Sequence, residues 1–165
     1  SIIATSFRFN KIILNMDTIE QENLIITGKI CPYCSKKTQL IKTDNVFNKN
    51  VYGWKYICQP CEAYVFCHSN THNAIGRLGN VKLHALKVEL RYYIDTLLNA
   101  GIFLSFVDVN RYIRKTIHKT INYCHVENLD EVECEEVIYQ MKCELYINKI
   151  VYADYNSKQL YCEKL

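Results

Sequence analysis

Two short stretches of the chain decide its fold: KICPYCSKKTQL at residues 29–40 and VYGWKYICQPCEAYVFC at residues 51–67. Each stretch contains one Cys-x-x-Cys pair, and 23 residues separate the two pairs. Aromatic and β-branched residues flank the second pair, which is typical of short β-strands. The polar segment between the stretches predicts a loop. We therefore expect a small antiparallel sheet that carries two cysteine pairs.

Two cysteine pairs at this spacing predict one tetrahedral site with four sulfur ligands. The predicted ligands are Cys31, Cys34, Cys58 and Cys61. Zinc suits such a site because it accepts tetrahedral geometry without redox chemistry, and four thiolates leave no open position, so we expect one structural Zn²⁺. An iron–sulfur cluster is the alternative. A thioredoxin-like redox pair is not expected, because neither pair lies at a strand-to-helix junction.

Composition narrows the class of protein. The chain has 165 residues, of which 49% are hydrophobic and 22% charged, as in a folded globular protein. Its nine cysteines are an odd number, which favours reduced thiols over a disulfide scaffold. No apolar run is long enough to span a membrane. Residues 1–15, which precede Met16, lack the features of a signal peptide and are interpreted as an upstream extension.

The second half of the chain predicts about three helices. A helical apolar pattern begins after Asn80 and ends at Gly101, a residue suited to a left-handed C-terminal position. Asp108 is the expected N-cap of a second helix, and Asn128 or Asp130 that of a third. The apolar stripe predicted for the third helix consists of Cys134, Val137, Ile138, Met141 and Leu145.

These patterns predict an α+β fold, in which an N-terminal zinc ribbon packs on about three C-terminal helices. The expected ribbon is a small antiparallel sheet with two Cys-x-x-Cys knuckles, and it needs the metal because its core is small. The expected parts are an N-terminal extension (1–28), the zinc ribbon (29–79), a helical part (80–152) and a polar, frayed tail (153–165).

Charge is distributed unevenly along the chain. Residues 29–87 have a net charge of +7, or about +5 with four thiolates and Zn²⁺, whereas residues 88–165 have a net charge of −3. Lysines interleaved with aromatics permit phosphate contact beside base stacking, although a solvated surface or a ribbon core would look similar. The candidate nucleic-acid contacts are Lys36, Lys37, Lys42, Lys55 and Trp54 in the ribbon, and Arg111, Arg114 and Lys115 on one face of the second helix.

A second group of cysteines and histidines is a candidate cluster. It comprises Cys67, His68, Cys124, His125 and Cys134. A three-ligand metal site with an open position would suit catalysis. The alternative is a structural role, because buried cysteines act as small hydrophobic residues and Cys134 lies on a predicted apolar stripe.

The segment CQPCEAYVFCHSNTHNAIG at residues 58–76 resembles DUF3268, a family of phage and prophage proteins described as zinc-finger-containing. The matching residues are Cys31, Cys34, Cys58, Cys61, Ala63, Val65, Cys67, His68, Thr71, Gly76, Asp95, Leu97, Cys124, His125, Asp130 and Cys134. The chain departs from the family pattern at Arg91, Ile94 and Leu98, where that family has His, Phe and Trp. The resemblance implies a phage-type protein with a zinc ribbon and implies no reaction.

The function favoured by these observations is that of a non-enzymatic, zinc-stabilised binding protein of phage type, which contacts nucleic acid through a basic ribbon surface. A module that binds a host or phage protein is the first alternative. A small metal-dependent nuclease using His68 and His125 is the second. No catalytic residue is assigned, because the sequence contains no P-loop, dinucleotide fingerprint or Ser-His-Asp arrangement. We expect no organic cofactor, no membrane and a cytoplasmic location, which is the bacterial host's if the chain is phage-encoded.

Overall fold

The computed structural model describes residues 18–43, 53–119 and 125–161. For residues 160 and 161 it describes the backbone alone. The chain divides into two compact units, Ser1–Asn80 and Val81–Leu165, called here the ribbon unit and the helical unit. A three-stranded sheet and four helices make up most of the described structure, which confirms the α+β class. In this part of the chain no helix combines the length and the apolarity that crossing a bilayer requires.

The ribbon unit contains one helix and an antiparallel sheet. Residues 18–26 are helical (α1). The strands are β1 (Gln39–Thr43), β2 (Gly53–Cys58) and β3 (Ala63–Phe66), with β2 in the centre. A short 3-10 turn, Gln59–Cys61, connects β2 to β3. The second cysteine pair therefore begins at the last residue of a strand and ends in this turn.

Strand alternation gives the ribbon sheet two different faces. Ala63 and Val65 are buried, whereas Phe66 is 47% exposed. One face of the sheet lies in a small core because successive strand side chains point to opposite sides. The core residues are Cys31, Cys58, Ala63, Val65 and Leu78, with Tyr56, Ala74 and Ile75 packed against them.

Helix α1 is fitted closely to this sheet through Gly28. The residue has a φ of +74°, and the N–H groups of Lys29 and Ile30 donate to the carbonyl of Leu24 at the helix end. A Cβ atom at residue 28 would lie 3.0 Å from side-chain atoms of Tyr56 and Val65. Both the backbone angle and the close approach therefore require glycine.

The helical unit contains α2 (Val81–Asn99), α3 (Phe106–Ile117) and α4 (Glu131–Ile147). Helix α2 begins after Asn80, and Gly101 has a φ of +73°, as the sequence predicts. Asp130 caps α4 through a reciprocal capping box with Glu133, so of the two N-caps that the sequence allowed, Asn128 and Asp130, the structure has the second.

The predicted start of α3 was wrong. The helix begins at Phe106, with Ser105 at the N-cap position, so Asp108 lies in the first turn. The Asp108 carboxylate accepts hydrogen bonds from the Leu104 N–H and the Ser105 hydroxyl and pairs with Arg111. A carboxylate interacts favourably with the helix dipole in the first turn as well as at the cap, and the sequence pattern does not separate the two positions.

The core of the helical unit lies between the apolar stripes of its helices, and the stripe predicted for α4 is confirmed. Its five residues are all buried, together with residues of α2 and α3. The other buried members are Leu83, Leu90, Tyr93, Ile94, Leu97, Phe103, Val109, Ile113 and Leu129.

The chain end that the sequence predicts to fray is held in place up to its last described residues. β4 (Tyr152–Ala153) pairs with β5 (Leu160–Tyr161) in a hairpin. The Tyr92 hydroxyl donates to the carbonyl of Ala153 at 2.7 Å. In the hairpin turn, Asp154 contacts side chains of α2 and α4, and Asn156 contacts one of α2. This polar segment is therefore held in place by hydrogen bonds and an ion pair.

Candidate metal centre

The four cysteines of the two knuckles converge at one point of the ribbon unit. Their sulfur atoms all lie within 4.8 Å of one another, and those of Cys34 and Cys58 are 3.6 Å apart. In a tetrahedral site with zinc–sulfur bonds of about 2.3 Å, sulfurs lie about 3.8 Å apart. The four thiols therefore fit one tetrahedral ion, and no ligand position remains for water or substrate.

Backbone hydrogen bonds orient the first knuckle. The Cys31 N–H donates to the carbonyl of Lys36, and the Ser35 N–H donates to the carbonyl of Cys31, both at 2.9 Å. Ser35 has a φ of +57°, so the chain reverses directly after Cys34. Main-chain groups of Tyr33 and Cys34 hydrogen-bond the Cys31 sulfur, and that of Lys36 hydrogen-bonds the Cys34 sulfur. Such amide donors stabilise thiolates.

Cys34 differs in acidity from Cys31 and Cys61. The main-chain hydrogen bond from Lys36 lowers the pKa of Cys34 to about 7, with help from the neighbouring thiols. The hydrogen bond to Cys34 raises the pKa of Cys61 to about 12, and burial adds to this. Burial is also the main cause of the raised pKa of Cys31. Without a cation, the thiolate of Cys34 is thus favoured and those of Cys31 and Cys61 are opposed, so a divalent ion supplies the charge that a four-thiolate site needs.

The candidate second cluster is distributed over both units. In the ribbon unit, Cys67 is half-buried, its N–H donates to the Trp54 carbonyl, and burial raises the pKa of its thiol. His68 is exposed and begins a turn in which its carbonyl accepts from the Thr71 hydroxyl. Among the residues that the structure describes, the four knuckle cysteines are the one group of three or more potential metal ligands.

In the helical unit, Cys134 is fully buried in the core, and burial raises the pKa of its thiol to about 12. His125 is exposed at the start of a 3-10 turn, Val126–Asn128. Cys124 lies outside the described residues. The second metal site stays a prediction.

The ribbon candidates for nucleic-acid contact lie on two faces of the sheet. Trp54 and Lys42 are cross-strand partners, and the Trp54 ring packs edge-on against His72 with 4.4 Å between centroids. Lys55 follows Trp54 in β2, so it points to the opposite face. Lys36 and Lys37 are exposed beside the first knuckle.

The candidates on α3 lie on its polar side. Lys115 is exposed, and Arg111 is exposed and paired with Asp108. Arg114 is half-buried and has no ion-pair or hydrogen-bond partner among the described residues.

Sequence reasoning missed the residues that accompany Lys55. Phe66 and Ile41 are its cross-strand partners, and its ammonium lies 5.6 Å from the centre of the Tyr64 ring. The rings of Tyr64 and Phe66 are in turn in edge-to-face contact, 5.5 Å apart. The sequence did contain a pattern that could have revealed these residues. Small or aliphatic and aromatic residues alternate strictly from Ala63 to Phe66, which assigns both aromatic rings to one face of the sheet.

Comparison with known proteins identifies the family. A family model described as a zinc-finger-containing domain matches residues 27–144, which is most of the chain. No curated protein matches significantly. The same holds for solved structures. The matched region includes all four knuckle cysteines, whose geometry fits one structural zinc ion. The chain belongs to the DUF3268 family of zinc-finger-containing domains, and its four-cysteine site holds one structural Zn²⁺.

Proposed function

We propose that the ribbon unit binds single-stranded nucleic acid on the sheet face that carries Lys55, Tyr64 and Phe66, called here the Lys55 face. The observation that supports this most is the cluster of one lysine and two aromatic rings on neighbouring strands. Aromatic rings stack with bases of any sequence, and a lysine beside them can contact the phosphate. The zinc site stabilises the sheet and takes no part in chemistry.

The charge of the ribbon supports an anionic partner. Lys36, Lys37 and Lys42 are exposed in the same unit. The zinc-bound ribbon remains positive after its four thiolates are counted, at about +3 for residues 29–80. Lysine acts as a point charge and distinguishes bases poorly, so we expect binding with little sequence preference.

The phage type and the cytoplasmic location belong to the same proposal. The ordered series of motifs shared with the family supports the phage type. The metal site supports the cytoplasmic location, because four zinc-bound thiolates need reduced cysteines, which a cytoplasm provides.

The test is fluorescence anisotropy of a labelled 20-nucleotide single strand and its duplex with the zinc-loaded protein at low salt. We expect Phe66→Ala to weaken single-strand binding at least fivefold, because stacking contributes about 1–3 kcal/mol per base. Tyr139→Ala is the matched control, since it removes an exposed aromatic residue (62%) from α4.

A second matched pair tests the charge. Lys55→Gln should weaken binding, whereas Lys158→Gln should not, although Lys158 also lies over a tyrosine ring, that of Tyr155. Equal effects of Phe66→Ala and Tyr139→Ala, or no binding to any nucleic acid at low salt, would refute the Lys55 face.

A protein partner is the second candidate, and the outer side of α4 favours it. Val132, Tyr139 and Tyr146 are 62–74% exposed and follow one another at intervals of seven residues. Such a stripe is typical of a helix that packs on another helix. Loss of a co-purifying protein in Tyr139→Ala, with nucleic-acid binding absent, would favour this candidate.

A further inference from the structure

The helical unit contains a cavity that neither the zinc site nor the Lys55 face explains. Its volume is about 400 Å³, and it lies between α2, α3 and the turn at residues 125–128. Ile94, Val126 and Phe106 line it with apolar surface. Ligand sites in proteins begin at about 300 Å³ and combine such walls with a few polar groups.

Three polar side chains accompany the apolar walls of this cavity. Among the described residues, Asp95, Asn110 and His125 make no side-chain hydrogen bond or ion pair. In contrast, the remaining charged pair of the lining is used internally, because Arg91 binds the carboxylate of Glu127. Within the described part of the chain, a ligand would therefore meet one unpaired carboxylate, one unpaired carboxamide and one imidazole.

The order of residues on α3 indicates the shape of the ligand. Phe106, Asn110 and Arg114 follow one another at intervals of four, so their side chains are neighbours along the helix. Phe106 is 64% exposed and offers a ring for stacking, and Arg114 offers a guanidinium without a partner among the described residues. A nucleotide has groups that suit these side chains: a flat ring for Phe106, a polar base edge for Asn110 and a phosphate for Arg114.

The carboxylate of Asp95 favours some nucleobases over others. A carboxylate accepts hydrogen bonds from the exocyclic amino group of a base such as cytosine, and uracil and thymine present an oxygen there. An oxygen opposite Asp95 would leave the carboxylate without a donor, and an unpaired acceptor in a binding site costs affinity.

We propose that this cavity binds a nucleobase with an exocyclic amino group, carried on a single strand, with Phe106 stacking on the ring, Asp95 and Asn110 reading its edge and Arg114 contacting the phosphate. The inference rests on the proposed function for its class of partner. The site is separate from the Lys55 face, and it adds a base preference that lysines and aromatic rings alone would not produce.

The test is NMR titration of the ¹⁵N-labelled, zinc-loaded full chain with cytidine monophosphate and with uridine monophosphate. We expect the cytidine nucleotide to shift the side-chain amide signals of Asn110 and to bind at least fivefold more tightly than the uridine nucleotide. Asp95→Ala should remove this preference, whereas Glu136→Ala, which removes an exposed carboxylate of α4, should retain it.

The remaining arms separate this inference from the Lys55 face. Phe66→Ala should leave the Asn110 response to cytidine monophosphate unchanged. Equal affinity for the two nucleotides, or unmoved Asn110 signals, would overturn the cavity proposal even if labelled strands still bind the ribbon. In the Phe66→Ala protein, a four-cytosine oligonucleotide should shift the Asn110 signals at a lower concentration than the mononucleotide does. Equal affinities measured from these signals would show that the cavity does not bind its base as part of a strand.

Discussion

Lys142 of α4 and Asp154 of the hairpin turn form an ion pair, with 2.9 Å between Nζ and Oδ2. The Tyr93 hydroxyl donates to the same carboxylate oxygen at 3.0 Å, and in turn it accepts from the Tyr155 N–H. The other oxygen accepts from the Ser157 N–H at 3.0 Å. One carboxylate therefore fastens the hairpin to α2 and α4.

This arrangement predicts an acid-sensitive stability. The main-chain hydrogen bond from Ser157 and the Lys142 ammonium hold the pKa of Asp154 well below its usual range. A carboxyl group whose pKa is lower in the folded state stabilises the fold above its unfolded pKa of about 3.9, and that stability is lost as the pH falls below it. We expect Asp154→Asn to lower the free energy of unfolding by about 2 kcal/mol at pH 7.

The measurement is urea unfolding followed by circular dichroism between pH 7 and pH 3. The difference between the variant and the original protein should shrink toward pH 3, because Asp154 becomes protonated in the unfolded state as the pH falls. Zinc loss in acid affects both proteins and cancels in this difference. Asn156→Ala is the control within the same turn, since it removes a hydrogen bond to Glu89 without removing a charge. A difference that does not change with pH would contradict the role of Asp154.

Zinc removal should unfold the ribbon unit. We expect one zinc per chain and its loss in Cys58→Ser, because structural zinc contributes on the order of 10 kcal/mol to folding. Elemental analysis and thermal unfolding measure the two effects. Cys143→Ser is the control, because Cys143 is a half-buried cysteine of α4 outside the site. A Cys58→Ser protein with full zinc and unchanged melting temperature would disprove the four-cysteine assignment.

Cys134 should stabilise the core of the helical unit and should not bind metal. Its side chain is fully buried in the core of the helical unit. We expect Cys134→Ala to cost about 1–2 kcal/mol, as for other small truncations in a core, with the zinc content unchanged. Two metals in the original protein, with one lost in this variant or in His68→Ala, would instead support the second cluster.

The ion pair between Arg77 and Glu22 should stabilise the ribbon unit. The Arg77 side chain is 8% exposed and binds the Glu22 carboxylate of α1. Glu22→Ala removes a carboxylate from a buried guanidinium, so it should lower the free energy of unfolding by about 2–3 kcal/mol. Glu20→Ala, at an exposed position of the same helix, should cost little. Equal melting temperatures of the two variants would show that the pair does not hold α1.

Nucleic-acid binding should depend steeply on salt. If three or four lysines of the ribbon contact phosphates, the logarithm of the association constant should fall with the logarithm of salt concentration with a slope of about −3 to −4 on duplex DNA. A slope near zero would show that phosphate contacts do not carry the binding. Anisotropy across a salt series measures this slope.

The sequence predicted those features that depend on residues close together in the chain. The spacing of the knuckles indicated the metal site, because each Cys-x-x-Cys loop positions two sulfurs locally. The N-cap of α4 was narrowed to Asn128 or Asp130, and the capping box with Glu133 that distinguishes them was not predicted. The start of α3 was not predicted correctly, since Ser105 and Asp108 are both acceptable near a helix N-terminus.

Contacts between residues that are far apart in the chain could not be predicted from local sequence patterns. Tyr93 meets Asp154 across 61 positions, and Arg77 meets Glu22 across 55. Such pairs form only once the helices and the sheet have their places. The division of the ribbon lysines between two sheet faces was in principle available, because Trp54 and Lys55 are neighbours in a strand and must point apart.

The position of the zinc ligands along the chain has a consequence for biosynthesis. All four cysteines lie within the first 61 residues, and the last buried residue of the ribbon core is Leu78. The whole ligand set thus leaves the ribosome while α4 is still to be translated, and N-terminal units generally fold first during synthesis. Zinc supply at the time of translation therefore decides whether the nascent ribbon folds or remains exposed to proteases and to oxidation of its thiols.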